Sequence, residues 1–195
     1  VIYRVNTSAF RYENRLELKM IKKNIALYSF VSLLGFVMQI WGLQARAVDY
    51  ELPDVNGQMQ SLDQYKGKWL VVNYWATWCS TCMKEMPELI SLHENNKDND
   101  IVVVGISFES IAQKQLKEFV SDKSIPYTVL NTEPVRVTPL GKVPALPTTY
   151  IIDPEGNVVA GDVGIITQQD IEDYIANKKA ASTVAEKATT EDNAS

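Results

Sequence analysis

Metal-binding side chains are scarce in this sequence. Its 195 residues include two cysteines and one histidine, His93. A structural zinc site needs four ligands, and these three residues cannot complete one by themselves. We therefore predict no metal site and no bound cofactor, and any special chemistry must come from the two thiols.

The sequence also lacks an excess of basic charge. It has 19 basic and 24 acidic side chains, a net charge of −5. Residues 1–47 hold seven of the basic and two of the acidic ones, which leaves 12 basic and 22 acidic residues, net −10, in the rest of the chain. This balance argues against nucleic-acid binding.

The two cysteines, Cys79 and Cys82, are separated by two residues. The apolar run 69–75 before them is typical of a buried strand, and residues 83–95 after them form a helix-like stretch. A C-x-x-C pair between a strand and a helix indicates a redox-active disulfide. The alternatives are a structural disulfide, half of a zinc site, or two buried thiols. A four-residue loop gives a structural bridge little stabilising entropy.

The position of Cys79 at the start of the helix makes it the candidate nucleophile. The N–H groups of a helix N-terminus stabilise a thiolate, and we expect this sulfur to be exposed. Cys82 lies one turn deeper and would resolve the mixed disulfide. No histidine or basic residue adjoins Cys79, which favours a reducing protein over a strongly oxidising one.

The first 47 residues read as an export signal. Lys22 and Lys23 precede the uncharged run 25–43, and a small-x-small cleavage pattern ends at Ala47. Met20 is then the expected initiator, with an upstream extension before it. The competing interpretation is an uncleaved membrane anchor at 25–43. In both cases the domain faces the outside of the inner membrane, the periplasm.

The sequence predicts one folded domain between two segments outside the fold. Residues 1–47 are the extension and signal peptide, and 48–177 are the domain. Residues 178–195 have little to bury, and we expect them to be disordered. The domain begins with a hairpin that turns at Asn56-Gly57. A βαβ half and then a ββα half, ending in a helix from Thr167 to Asn177, follow.

Two segments carry a family resemblance. Residues 73–89, around the cysteines, resemble the active-site signature of the TlpA/ResA-like branch of the thioredoxin superfamily, and residues 145–153 resemble its cis-proline segment. The similarity covers about residues 49–176. It implies an α/β, thioredoxin-like fold: a central mixed β-sheet flanked by helices, here with an N-terminal β-hairpin extension.

The resemblance also implies roles for residues near the cysteines. Pro147 should follow a cis peptide bond from Leu146 and present backbone groups to an extended client peptide. Glu85, one helical turn after Cys82, matches a family glutamate linked to thiol proton transfer; the alternative is a solvated surface carboxylate. We expect Trp78 at the surface, where it could contact a partner.

These observations predict a periplasmic thiol-disulfide oxidoreductase that reduces client proteins. The resemblance implies clients in cytochrome c maturation or copper-centre assembly and a membrane electron donor of the thiol-reductase type. One alternative is a disulfide-forming oxidase, and another is a Cu(I)-binding thiol module. A peroxidase is a weaker option, because its Pro-x-x-x-Thr/Ser-x-x-Cys pattern is missing before Cys79.

Overall fold

The computed structural model describes residues 50–96, 100–135 and 137–192, with side chains up to residue 183. Within these ranges no helix is both long enough and apolar enough to cross a bilayer. The predicted export signal or anchor at 25–43, and the expected initiator Met20, lie outside the described residues.

Nine strands and three α-helices make up this part of the chain. A single 3-10 turn, Leu62–Tyr65, is capped by Ser61, whose hydroxyl accepts a hydrogen bond from Asp63 N. The elements, in chain order, are β1 (Glu51–Pro53), β2 (Met59–Ser61), β3 (Trp69–Trp75), α1 (Ser80–Asn95), β4 (Ile101–Phe108), α2 (Gln113–Asp122), β5 (Thr128–Thr132), β6 (Val137–Thr138), β7 (Gly141–Lys142), β8 (Thr148–Ile152), β9 (Val158–Val163) and α3 (Gln168–Asp192).

The central sheet has five strands in the order β5-β4-β3-β8-β9. Strands β3, β4 and β5 run parallel, whereas β8 and β9 are antiparallel to their neighbours. Strands β1 and β2 form a separate antiparallel hairpin. The predicted mixed sheet with an N-terminal hairpin is therefore confirmed.

Strand β3 is the centre of this sheet and is buried on both faces. All seven of its residues are buried, as its continuous apolar run predicts. Trp75 points into the layer with α2, where its ring lies 5.5 Å from that of Phe119. Tyr74 points to the opposite face, where its ring meets the ring edges of Phe108 and Tyr150. This packing holds the carboxyl end of β3, and the loop that leaves it, in place.

The last helix is longer than the sequence analysis expected. Helix α3 continues through Asp192, beyond the predicted end at Asn177. The structure thus has helix at residues 178–192, where the sequence analysis expected disorder. Alanine, lysine and glutamate recur in this stretch, which has no glycine or proline, and such residues favour helix even without burial. Residues 176–183 are all exposed, so this extension contributes little to the core.

The segment between β5 and β8 also has local structure of its own. It contains the small hairpin of β6 and β7. The hydroxyl of Thr138 accepts hydrogen bonds from the backbone N–H groups of Leu140 and Gly141. It also accepts a hydrogen bond from the hydroxyl of the buried Tyr74. A local side-chain turn of this kind leaves no hydrophobic pattern in the sequence.

Candidate active site

The two cysteines are joined as a disulfide at the amino end of α1, with their Cα atoms 5.3 Å apart. Cys79 is the N-cap of the helix, whose first residue is Ser80, so the helix begins one residue after the predicted start at Cys79. Its Sγ accepts a hydrogen bond from the backbone N–H of Cys82 at 3.2 Å. A free N–H at a helix N-terminus is thus aimed at the sulfur that the sequence analysis named as nucleophile.

The predicted exposure of Cys79 is wrong for this disulfide form. Cys79 is only 5% exposed and Cys82 is 2% exposed. Both cysteines belong to the apolar cluster that includes Trp75 and Ala76. Cys79 is the N-cap, whereas Cys82 lies inside the first turn of α1. The adjacent Trp78 is 70% exposed, which confirms its predicted place at the surface.

The segment before β8 contacts the turn between the two cysteines. The peptide bond from Leu146 to Pro147 is cis, as the resemblance implied. The carbonyl of Pro147 accepts a hydrogen bond from Gly164 N at 2.9 Å, which ties the segment to the end of β9. The carbonyl of Leu146 accepts one from the hydroxyl of Thr81 at 3.4 Å. Leu146 and Pro147 therefore adjoin the residues between the two cysteines.

Glu85 is fully buried, so the alternative of a solvated surface carboxylate is wrong. One carboxylate oxygen accepts a hydrogen bond from Asn73 Nδ2 at 2.9 Å, and the other accepts one from Ile166 N at 3.0 Å. Asn73, on β3, also donates to the hydroxyl of Thr149 on β8 at 2.9 Å. These contacts fix the carboxylate between α1, the sheet and the start of α3.

Burial raises the pKa of Glu85 from 4.5 to about 7. The hydrogen bonds from Ile166 and Asn73 oppose this rise, because they stabilise the charged form, and the negative charge of Asp162 adds to it. A carboxyl group whose pKa lies near neutrality can take up and release a proton under physiological conditions.

A second buried carboxylate, Glu109, was missed by the sequence analysis. It directly follows β4 and is 8% exposed. Its two oxygens accept hydrogen bonds from the backbone N–H of Thr77 at 2.6 Å and from the Thr77 hydroxyl at 3.1 Å. Strand pairing in the folded chain accounts for its position. Trp75 is paired with Ser107 in the parallel register, so residues two positions further along both strands emerge side by side.

The described residues contain no group of three or more histidine, cysteine, aspartate or glutamate side chains arranged to hold a metal ion. His93, on the far half of α1, makes an edge contact with the ring of Tyr127, and the two ring centres are 6.0 Å apart. The chemistry available at this site is that of two sulfurs, an N-terminal helix turn and a buried carboxyl group.

Comparisons with known proteins agree with this geometry. Residues 43–160 match the AhpC/TSA family. The thioredoxin-like protein YneN of Bacillus subtilis is 30% identical over 166 residues, which cover 78% of this chain and 96% of that protein. The thiol-disulfide oxidoreductase ResA of the same organism is 33% identical over 131 residues, which cover 66% of this chain and 72% of that one.

A solved structure shares the fold. The crystal structure of a DsbF homologue from Corynebacterium diphtheriae aligns with a TM-score of 0.59 and 28% identity, over 70% of this chain and 88% of that one. Fold, cysteine pair, cis-proline segment and relatives all agree. The chain therefore belongs to the AhpC/TSA family and is a thioredoxin-fold thiol-disulfide oxidoreductase similar to ResA.

Proposed function

We propose that this protein is a periplasmic reductase of disulfides in client proteins, with Cys79 and Cys82 as its redox couple. The observation that carries the proposal is the position of the pair, at a helix N-terminus beside the Leu146–Pro147 segment and the exposed Trp78. The direction rests on the contacts of Cys79, which come from the neutral Cys82 N–H and Thr81 hydroxyl. Strong oxidants depend on extra stabilisation of the reduced form.

The reaction transfers two electrons in two exchange steps. The thiolate of Cys79 attacks one sulfur of the client disulfide, so a Cys79–client bond forms and the first client sulfur leaves as a thiolate. The thiolate of Cys82 then attacks Cys79 Sγ, and the second client sulfur leaves. The client gains two electrons and two protons, and the Cys79–Cys82 disulfide is left in the protein. A thiol-reductase donor in the membrane would restore the dithiol.

The order of attack follows from the positions of the two sulfurs. Cys79 is the N-cap and accepts a hydrogen bond from the N–H of Cys82, both of which favour its thiolate. Cys82 lies inside the first turn of α1, where it is placed to attack Cys79 once the mixed disulfide has formed.

Glu85 is the proposed proton acceptor for the second step. It lies three residues after Cys82 on the buried face of α1, where residues at this spacing are neighbours. Cys82 must lose its proton before it attacks, and a buried carboxylate with a pKa of about 7 can accept that proton. The proton returns to solvent after the client leaves.

Client binding is assigned to Trp78, Leu146 and Pro147. An extended client segment can pair with the backbone of the Leu146–Pro147 segment, while the exposed indole of Trp78 supplies apolar contact next to Cys79. Placement in the periplasm rests on the signal-like residues before Ala47, and an oxidising compartment supplies disulfide substrates.

Reduction of insulin by the purified protein, with dithiothreitol as electron source, tests the activity. The unchanged protein should accelerate insulin precipitation. The Cys79→Ser variant should not, because it cannot form the first mixed disulfide. The Cys82→Ser variant should form a mixed disulfide through Cys79 that it cannot resolve. Equal rates with and without the protein, or trapping through Cys82 in the Cys79→Ser variant, would contradict the proposal.

A further inference from the structure

Thr81, the second residue of α1, contacts two functional groups at once. Its hydroxyl oxygen lies 3.2 Å from Cys79 Sγ and 3.4 Å from the carbonyl oxygen of Leu146. Its side chain is exposed at the mouth of the site. One hydroxyl therefore stands between the proposed nucleophile and the backbone carbonyl that precedes the cis-proline.

The disulfide form determines which way this hydroxyl donates. A disulfide sulfur carries no proton, so Thr81 is the only possible donor in its contact with Cys79. A hydroxyl has one proton to donate, and a carbonyl oxygen is a better acceptor than a neutral sulfur. In the oxidised protein the proton of Thr81 therefore goes to Leu146.

Reduction changes the balance between these two acceptors. Once Cys79 is a thiolate it carries a full negative charge, and hydrogen bonds to charged acceptors are about twice as strong as those between neutral groups. The same hydroxyl then gains more by turning to Cys79. The two acceptors lie within reach of one oxygen atom, so a rotation about a single bond is enough.

We propose that Thr81 is a catalytic residue whose hydroxyl switches with the redox state: it donates to the Cys79 thiolate in the reduced protein and to the Leu146 carbonyl in the oxidised protein. This inference rests on the proposed reductase function, which it deepens. In the reduced protein the Leu146 carbonyl becomes free to accept an N–H from a client backbone. In the oxidised protein Thr81 competes for that carbonyl, which favours release of the reduced client.

Two buried carboxyl groups belong to the elements around Cys79. Glu109 approaches from the end of β4, where it holds Thr77, and Glu85 lies further along the inner face of α1. The hydrogen bonds of Glu109 go to Thr77 and Ser107, and those of Glu85 go to Asn73 and Ile166, so neither group is bonded to Thr81. Substitutions at Thr81 leave them in place, so a difference between Thr81 variants reports on the hydroxyl.

The first test is a pH titration of the Cys79 thiolate, followed by its ultraviolet absorbance. Every protein compared in this titration also carries the Cys82→Ser substitution, so that Cys79 is the one thiol that titrates. The Thr81→Val variant keeps the shape of the side chain but loses the hydroxyl, and its Cys79 pKa should rise by about one unit. The Thr81→Ser variant keeps a hydroxyl and should titrate like the unchanged protein.

Ser80→Ala is the matched control, because it removes the neighbouring hydroxyl of the same exposed turn. Its titration should not move. An unchanged Cys79 pKa in Thr81→Val, or an equal rise in Ser80→Ala, would overturn the proposal. If Thr81→Val does not fold, Thr81→Ala takes its place and carries the same expectation.

The second test follows the Leu146 carbonyl by its carbonyl carbon NMR shift, in the protein with both cysteines. The shift should differ between the oxidised and reduced protein, and this difference should largely disappear in Thr81→Val. A difference of the same size in both proteins would overturn the switch. Neither test uses a client. Failure of the protein to reduce insulin would therefore refute the reductase function, whereas the two measurements above decide whether the Thr81 hydroxyl switches.

Discussion

Glu85 makes the stability of the fold depend on pH. Its carboxyl group is buried between α1, β3 and the start of α3, and its pKa is raised to about 7. A raised carboxyl pKa means that the folded protein retains a proton that the unfolded chain has already lost. The contribution of Glu85 to stability is therefore fully present below pH 4.5 and is lost as the pH rises to about 7.

The Glu85→Gln variant tests this linkage, because glutamine cannot ionise. Between pH 4 and pH 8 the unchanged protein should lose roughly 3 kcal/mol of unfolding free energy relative to the variant. Urea unfolding at a series of pH values measures the difference. The same variant should also shift the pH dependence of disulfide exchange. Parallel stability curves would refute the raised pKa, and an unchanged exchange profile would remove Glu85 from the mechanism.

Glu109 stabilises the loop that precedes Cys79. Replacement by leucine leaves the N–H and hydroxyl of Thr77 without their acceptor, so we expect a loss of about 2–3 kcal/mol of unfolding free energy and faster hydrogen exchange at the Thr77 amide. Glu109→Gln retains one acceptor and should lose less. Glu118→Leu, on the exposed face of α2, is the control and should stay within about 0.5 kcal/mol. Equal losses in Glu109→Leu and Glu118→Leu would contradict this role.

Some of the site could be predicted from the sequence. The two cysteines are recognisable by their spacing between a strand and a helix, and the cis bond before Pro147 by the family resemblance. The role of Glu109 and the contact of Thr81 with Leu146 could not be found this way, because both depend on which loops meet at the carboxyl end of the sheet. The low exposure of Cys79 also depends on tertiary packing, since Cys79 lies in the same apolar cluster as Trp75.

At the scale of the elements, hydrophobic pattern predicts the parts of the chain that are buried. Strand β3 and the buried face of α1 follow directly from their apolar residues. Helix α3 has two parts of different origin. Ile171 and Ile175 anchor its first turns in the core, whereas residues 176–183 are exposed. The hydrophobic pattern predicts the part that is anchored in the core, whereas only intrinsic helix propensity supports the exposed part.

These two parts of α3 should respond differently to substitution. Ile171→Ala should lower the free energy of unfolding by about 2–5 kcal/mol, because it leaves a cavity in the core. Ala181→Pro should reduce the helical signal at 222 nm but leave the free energy of unfolding within about 0.5 kcal/mol of the unchanged protein. Circular dichroism during urea unfolding gives both quantities. A large loss of stability in Ala181→Pro would show that the exposed part supports the fold.

At the scale of the whole molecule, the mixed sheet brings together segments that are distant in the sequence. The cysteines follow β3, and the Leu146–Pro147 segment precedes β8, which pairs with β3 in the antiparallel direction. When two neighbouring strands run antiparallel, the last residues of one lie beside the first residues of the other. The order of elements predicted the fold class, but the contacts between the cysteine loop and the Leu146–Pro147 segment could be obtained only from the folded chain.

Export of the protein is a prediction about the whole chain. Expressed from Met20 in a Gram-negative bacterium, the mature protein should begin at Val48 and appear in the periplasmic fraction. Amino-terminal sequencing and fractionation measure this outcome. Retention of residues 25–43, with the protein in the membrane fraction, would favour the anchor instead. Recovery in the cytoplasm at full length would contradict both.

The reduction potential of the Cys79–Cys82 couple is the measurement that tests the central claim most directly. The protein is equilibrated in glutathione buffers of defined ratio, and the fraction with free thiols is counted by mass spectrometry after alkylation. A reductase should show a reversible two-electron transition at a potential below about −220 mV, closer to thioredoxin than to strong oxidants. A transition near −120 mV, or no transition at all, would contradict the account.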